Sequence, residues 1–225
     1  MKWLKVLRRA IKKPNWYNLR TIKPISRVFG FDRGTPIDRI YIEHFLQKNQ
    51  DYIQGVVCEI AEDTYAKKFG KNVKKIEILS YTNDNPKATI IGDLTNINTL
   101  PSNTIDCFIV TQTLNFIYDV KSAVRGIFHM LKDGGIILAT VAGISQISRY
   151  DMDRWGDYWR FTDLSAKRLF EEVFGEGNVE VETYGNVLAS IAFLHGIAAE
   201  ELTKEELFYK DIDYQITIAI KARKK

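Results

Sequence analysis

The feature that most constrains this chain is an alternation of short apolar runs with amphipathic stretches from residue 55 to the C-terminus. "GVVCEI", "VKKIEILSY", "ATIIGDL", "TIDCFIVTQTL", "VEVETYG" and "YQITIAIKARKK" read as strands, and "KDGGIILATVAG" as a glycine-capped turn into another. Between them, "TYAKKF", "VKSAVRGIFHML" and "LSAKRLFEEVF" carry helical spacing, and "NVLASIAFLHGIAAEEL" reads as one long apolar helix. A further helix over "PIDRIYIEHFLQKNQ" precedes the first strand, with Pro36 near its start. The near-continuous apolar centre of residues 104–114 is that of a parallel strand covered on both faces. Strand and helix in alternation predict an α/β doubly wound sheet with helices on both sides. In such a sheet, ligands bind beyond the carboxyl ends of the strands, where the strand order reverses. The residues just after each strand are therefore the candidates for function.

At 225 residues, 45% of them hydrophobic, the chain suffices for one domain with a full core. No apolar run reaches the ~20 residues that span a bilayer, and no apolar stretch of signal-peptide type follows the basic N-terminus. Cys58 and Cys107 each sit inside an apolar run and read as core thiols in a reducing compartment. His44, His129 and His195 fit no zinc spacing, so no metal is expected. The expected location is the cytoplasm.

The net charge of +4 hides an asymmetry. Lys2, Lys5, Arg8, Arg9, Lys12, Lys13, Arg20, Lys23 and Arg27 precede the first acid, Asp32. In "MKWLKVLRRAIKK" the residues Trp3, Leu4, Leu7, Ala10 and Ile11 share one helical face. Residues 1–36 are thus a basic N-terminal extension with an irregular lead-in from residue 14, and residues 37–225 are the domain. Two readings of the basic helix stand. It docks on a membrane surface, at the inner membrane face, or on a partner; or it packs on the domain with its basic face in water. Nucleic-acid binding is not expected, because the basic residues do not continue into the body of the chain.

After the first strand comes "EIAEDTY". A dinucleotide would need a glycine-rich turn there to bring its pyrophosphate onto a helix N-terminus, and Glu62 and Asp63 would repel phosphate. Acids at this turn suit a cationic ligand without phosphate, such as S-adenosylmethionine with its sulfonium and ammonium. The order "VVCEIAEDTY", "IIGDLTN", "LPSNTIDCFIVTQTLNFIYDV", "MLKDGGIILATV" and "WGDYWRFT" resembles a class I S-adenosylmethionine-dependent methyltransferase. It is most similar to the methyltransferase type 11 branch found among bacterial surface-glycan genes. The resemblance covers about residues 37–222 and implies a mostly parallel, seven-stranded Rossmann-like sheet with an antiparallel last strand.

The family motif is E/D-x-G-x-G-x-G. Glu59 matches its acid, while Ala61, Asp63 and Tyr65 stand where the glycines stand. The resemblance implies that Glu59, Ala61, Glu62 and Asp63 line the cofactor, and that Asp93, with Leu94, accepts from the adenine amine. It places Thr111, Gln112 and Thr113 beside the methionyl part and Ser80 and Tyr81 at the ribose position. The turn itself is expected to be capped by the side chain of Asp63 or Thr64. Tyr65 is expected to point away from the strand ends, leaving the pocket open.

"SRYDMDRWGDYWRFT" packs aromatics among carboxylates and arginines at the ligand edge. Tyr150, Arg154, Trp155, Tyr158 and Arg160 are the candidate contacts to a polar acceptor such as a carbohydrate, with rings for C–H faces and charges for hydroxyls. The other reading is a self-satisfied lid in which Arg160 pairs with Asp157 or Asp153. Methyl transfer aligns donor and acceptor in line and uses a base where the acceptor carries a proton. Candidate bases are Asp151, Asp153 and His195. The function expected is O-methylation of a sugar in a cell-surface glycan. The alternative is an inactive methyltransferase-like domain that partners a glycosyltransferase or membrane assembly.

Overall fold

The structure, a computed structural model, describes residues 2–12 and 21–225. Seven strands form one sheet: β1 (Gly55–Ile60), β2 (Val73–Ser80), β3 (Ile90–Ile91), β4 (Ile105–Thr111), β5 (Leu131–Ala142), β6 (Val179–Tyr184) and β7 (Thr217–Arg223). Their order is β3-β2-β1-β4-β5-β7-β6. The first five pair in parallel, and β7 runs antiparallel to both β5 and β6. The chain steps outward from β1 to β3 and then returns to lay β4 beside β1. That reversal fixes the ligand crevice at the carboxyl ends of β1 and β4.

The helices among the described residues are α1 (Lys2–Ile11), α2 (Ile37–Lys48), α3 (Thr64–Phe69), α4 (Val120–Met130), α5 (Arg149–Met152), α6 (Asp163–Phe174), α7 (Val187–Leu194) and α8 (Lys204–Phe208). Side chains of β4 alternate between two cores. Phe108 and Val110 join Val124 and Ile127 of α4 and Phe170 of α6. Cys107 and Ile109 join Tyr41 and Phe45 of α2 and Phe193 of α7. The centre of the strand, residues 107–110, is apolar because both of its faces are buried there. Cys58 and Cys107 are buried free thiols on neighbouring strands, and burial pushes both well above the ordinary thiol value.

Three elements differ from the sequence reading. The "KDGG" segment is not a separate turn. β5 starts at Leu131, directly after α4, and absorbs the extra residues as an irregularity between the pairs Ile105–Leu131 and Cys107–Ile136. The long apolar helix over residues 186–202 stops at Leu194. Gly196 then takes φ +67°, and its backbone lies against the carbonyl of Ser26 so closely that a Cβ would not fit. The lead-in is irregular from residue 21 to 36, as expected; residues 13–20, including Lys13 and Arg20, lie outside the described residues.

Candidate functional site

A cavity of about 370 Å³ opens at the carboxyl ends of β1, β4 and β5. That volume lies in the range of small-ligand sites, ~300–1,000 Å³. Its floor is Glu59, Ile60 and Thr111, with Gln112 just beyond β4; its walls come from the first turn of α2, the β1–α3 turn and the segment after β5.

The β1–α3 turn keeps its path without glycine. Ala61 adopts φ +64°, the left-handed region that glycine favours. The helix behind it is capped from inside. Glu59 accepts the N–H groups of Tyr65 (3.0 Å) and Ala66 (2.6 Å). Asp63 stands at the N-cap position but makes no side-chain cap bond, and Thr64 donates its hydroxyl to Glu62 at 2.7 Å. The expected cap by Asp63 or Thr64 is therefore replaced. Asp63 turns instead to Lys67 (2.5 Å), whose hydrogen bond holds its carboxyl below the usual range. Glu59 is 3% exposed. Burial pushes it up to about 7, against the pull of the two N–H bonds, and Glu62 and Asp63 add to the rise.

Tyr65 is buried, stacked on Phe69 at 6.3 Å within the core beneath α2. It meets the cavity as part of its wall. Its hydroxyl is pushed up to about 12 by burial.

Glu62, Thr111 and Gln112 line the cavity together with Glu59, and Asp151 and Arg160 complete its far wall. Ala61, Asp63, Ser80, Tyr81, Asp93, Leu94 and Thr113 are not in that wall. Ser80 is buried at the end of β2, and Tyr81 is exposed with its ring edge-on to Trp155 at 6.3 Å. Asp93 uses Oδ1 to accept the N–H and hydroxyl of Thr95, both at 2.8 Å, and Leu94 is a core residue. Thr113 donates its hydroxyl to the carbonyl of Thr111 at 3.0 Å.

The segment after β5 is largely self-satisfied. Arg160 forms a fork with Asp157, at 2.5 and 2.9 Å, and donates to the carbonyl of Gln146 at 2.8 Å. Burial works against the ionised Asp157, but Arg160 and the Ser148 N–H outweigh it and hold the carboxyl below its usual range. Asp151 accepts the Ser148 hydroxyl at 2.5 Å. Arg154 stacks on Tyr150, 3.6 Å from the ring centre, and both stay on the outer surface with Trp155 and Tyr158, none of them in the cavity wall. Two of the three expected bases are not brought to the cavity. Asp153 is exposed beyond α5, and His195 ends α7, its carbonyl accepting from the N–H groups of Ile25 and Ser26.

Among the wall residues that the sequence did not single out, Asp38, Arg39 and Asn115 carry the most chemistry. Asp38 is half-buried in the first turn of α2, with Oδ1 on the Arg39 N–H at 2.8 Å. Burial pushes it up to about 6, although the Arg39 N–H and charge pull the other way. The Arg39 guanidinium lies 5.3 Å from the ring centre of Phe31 and makes no hydrogen bond or ion pair among the described residues. Asn115 is buried, and its Oδ1 has no hydrogen-bond partner among the described residues. An acid-arginine pair in a first helical turn reads as an ordinary end charge, so the sequence offered little signal for it. Only the packing of α2 over the strand ends turns it into cavity wall.

This donor set fits S-adenosylmethionine. Glu59, Glu62 and Asp38 face a cavity that would receive a cationic sulfonium and ammonium, and Arg39, with no ion-pair partner among the described residues, supplies a cation for a carboxylate. The orphaned Asn115 oxygen awaits a donor.

Residues 42–139 match the family described as "Methyltransferase domain". Solved structures similar to the chain include a SAM dependent methyltransferase from Archaeoglobus fulgidus, 14% identical with a TM-score of 0.53, covering 83% of this chain and 94% of that one. Another is an S-adenosylmethionine dependent methyltransferase from Mesorhizobium loti, 17% identical with a TM-score of 0.52, covering 80% and 95%. The [4+2]-cyclase SpnF shares the fold as well, 14% identical with a TM-score of 0.52, covering 91% and 88%. At these identities the likeness establishes the fold. No curated protein sequence matches the chain. Domain match, sheet order and cavity chemistry converge: residues 42–139 are similar to a methyltransferase domain, and the chain has the fold of the S-adenosylmethionine-dependent methyltransferases it resembles.

Proposed function

We propose that this domain methylates a hydroxyl oxygen of a carbohydrate, in the assembly of a cell-surface glycan. The observation that carries the reading is the far wall of the cavity. There Asp151 and the Asp157–Arg160 fork stand in the wall, while outside it Tyr118 and Trp159 stack at 5.9 Å and Tyr158 meets Tyr118 at 5.4 Å in an exposed aromatic cluster. Fixed carboxylates and a guanidinium suit hydroxyls, and exposed ring faces suit the C–H surface of a sugar. The Trp159 indole N–H is anchored on the carbonyls of Ile117 and Tyr118, which holds the ring platform in place.

The bound cofactor supplies an electrophilic methyl group on sulfur. The chain's own residues orient and deprotonate. Arg39 and the acids at 59 and 62 would hold the amino-acid end of the cofactor, which leaves Asp38 and Asp151 in the cavity wall as candidates to take the acceptor proton. Asp151 already accepts the Ser148 hydroxyl, whereas Asp38 bonds only its neighbour's N–H through one oxygen. Asp38 is therefore the better base.

The test is turnover of radiolabelled S-adenosylmethionine against free hexoses, deoxyhexoses and nucleotide sugars, read as S-adenosylhomocysteine and labelled sugar. Transfer to a sugar hydroxyl supports the reading. Transfer only to amines or carboxylates would redirect it. Cofactor binding without any turnover would leave a binding module, partner to a glycosyltransferase.

A further inference from the structure

The orientation of α1 is the reverse of what packing alone would produce. An amphipathic helix laid on a domain normally buries its apolar stripe. Here the basic side faces the domain. Arg8 pairs with Asp32 at 3.3 Å and Arg9 with Glu200 at 3.7 Å. Arg9 also donates to the carbonyl of Arg33 at 3.0 Å, and Lys5 to that of Gly34 at 3.4 Å. Arg33, almost fully buried and paired with Glu201 at 2.5 Å, donates to the carbonyl of Lys12 at 2.9 Å. A buried cation thus holds the C-terminal end of α1, where the unpaired carbonyls and the helix dipole favour positive charge.

The opposite side faces outward. Trp3 and Ile11 are each 71% exposed, Leu4 is 54% exposed, and Leu7 is 39% exposed. Such a contiguous apolar stripe marks an interaction site. Its surroundings select the occupant. Nine lysines and arginines precede the first acid of the chain, and Arg8 keeps 61% of its side chain exposed despite its pair. Pairing with a second copy would bring two such cationic helices together, at a Coulomb cost. An anionic bilayer accepts the apolar stripe between its acyl chains and attracts the flanking cations.

The docking loop also reaches the active site. Asp32, the partner of Arg8, follows Phe31, and Phe31 walls the cavity beneath Arg39. We infer that α1 is a membrane-docking helix for an anionic lipid surface, held basic-side-down on the domain so that the cavity mouth lies beside the bilayer. An acceptor carried on a lipid would be met there. Membrane binding itself does not depend on the reaction proposed above.

The experiment is co-sedimentation of the full chain with phosphatidylglycerol-containing vesicles and with pure phosphatidylcholine vesicles. It compares wild type with the triple variant Trp3→Ala, Leu7→Ala, Ile11→Ala. These side chains are exposed, so the fold tolerates their loss, and equal S-adenosylhomocysteine binding and thermal midpoint for both proteins verify it. Wild type is expected to bind anionic vesicles at least tenfold more strongly than neutral ones, with loss at high salt, and the variant at least tenfold more weakly than wild type. Equal sedimentation of the two proteins overturns the inference. So does a wild-type dimer without lipid that the triple variant dissolves, since the stripe would then be an interface between copies.

Discussion

Glu59→Gln separates two opposing effects at the floor of the site. The carboxylate accepts two N–H bonds at the start of α3, which favours its charge; burial at 3% exposure disfavours it. Burial wins, lifting the group from 4.5 to about 7. A rise of that size corresponds to about 3 kcal/mol. The sign follows from proton linkage: an acid with a raised native value binds its proton more tightly when folded, so stability falls as pH rises from about 4.5 to about 7. Protonated glutamate can still accept at both oxygens, whereas glutamine keeps one acceptor and sets its NH2 against the other N–H, so the variant should be the less stable protein at pH about 4.5. By pH 8 that difference should have shifted by about 3 kcal/mol in favour of the glutamine variant, because it never carries the buried charge. Urea unfolding of both proteins across this range, read as their difference, cancels the other titrating groups. A stability difference that stays constant from pH about 4.5 to pH 8 would refute the reasoning, since the two N–H bonds would then balance burial. A carboxylate kept at a cost to stability points to a cationic ligand. The same variant should therefore bind S-adenosylmethionine more weakly while losing this pH dependence of stability.

Three further outcomes are expected. Arg39→Ala should weaken S-adenosylhomocysteine binding by ~1.5–3 kcal/mol, the worth of a hydrogen bond to a charged group. It should leave 5′-methylthioadenosine, which has no carboxylate, unchanged in calorimetry; equal losses for both would remove the clamp. Asp38 must be ionised to act as a base, so kcat/KM should fall as pH drops below about 6. Asp38→Asn should abolish that limb and lower the plateau by ~10²–10⁴, and an unchanged profile would pass the role to Asp151. Tyr65→Gly should cost ~3–5 kcal/mol of stability in thermal or urea unfolding, because the ring is core and not a pocket plug. A gain in cofactor affinity on that substitution would show instead that the ring obstructs the site.

The sequence by itself determined the sheet and most of its helices. Strand and helix periodicities are local, and a residue's neighbours a few positions away suffice to write them, as in α3, whose bounds match "TYAKKF". The carboxyl ends of β1 and β4 followed as the ligand edge, because a doubly wound sheet has its crevice where the order reverses. What the sequence could not supply were contacts made across distance. The break of the apolar helix at Gly196 needs the carbonyl of Ser26, and the cap of α3 needs Glu59 from the preceding strand, brought round by Ala61 in a left-handed turn. Asp38 and Arg39 became site residues only when α2 packed its first turn over the strand ends, joining them to Thr111 and Asp151. The amphipathic pattern of α1 was plain, but which side would face outward was not. Tertiary structure decided it, because the acids at 32, 200 and 201 that receive the helix or hold its anchor Arg33 come from opposite ends of the chain and meet only in the fold.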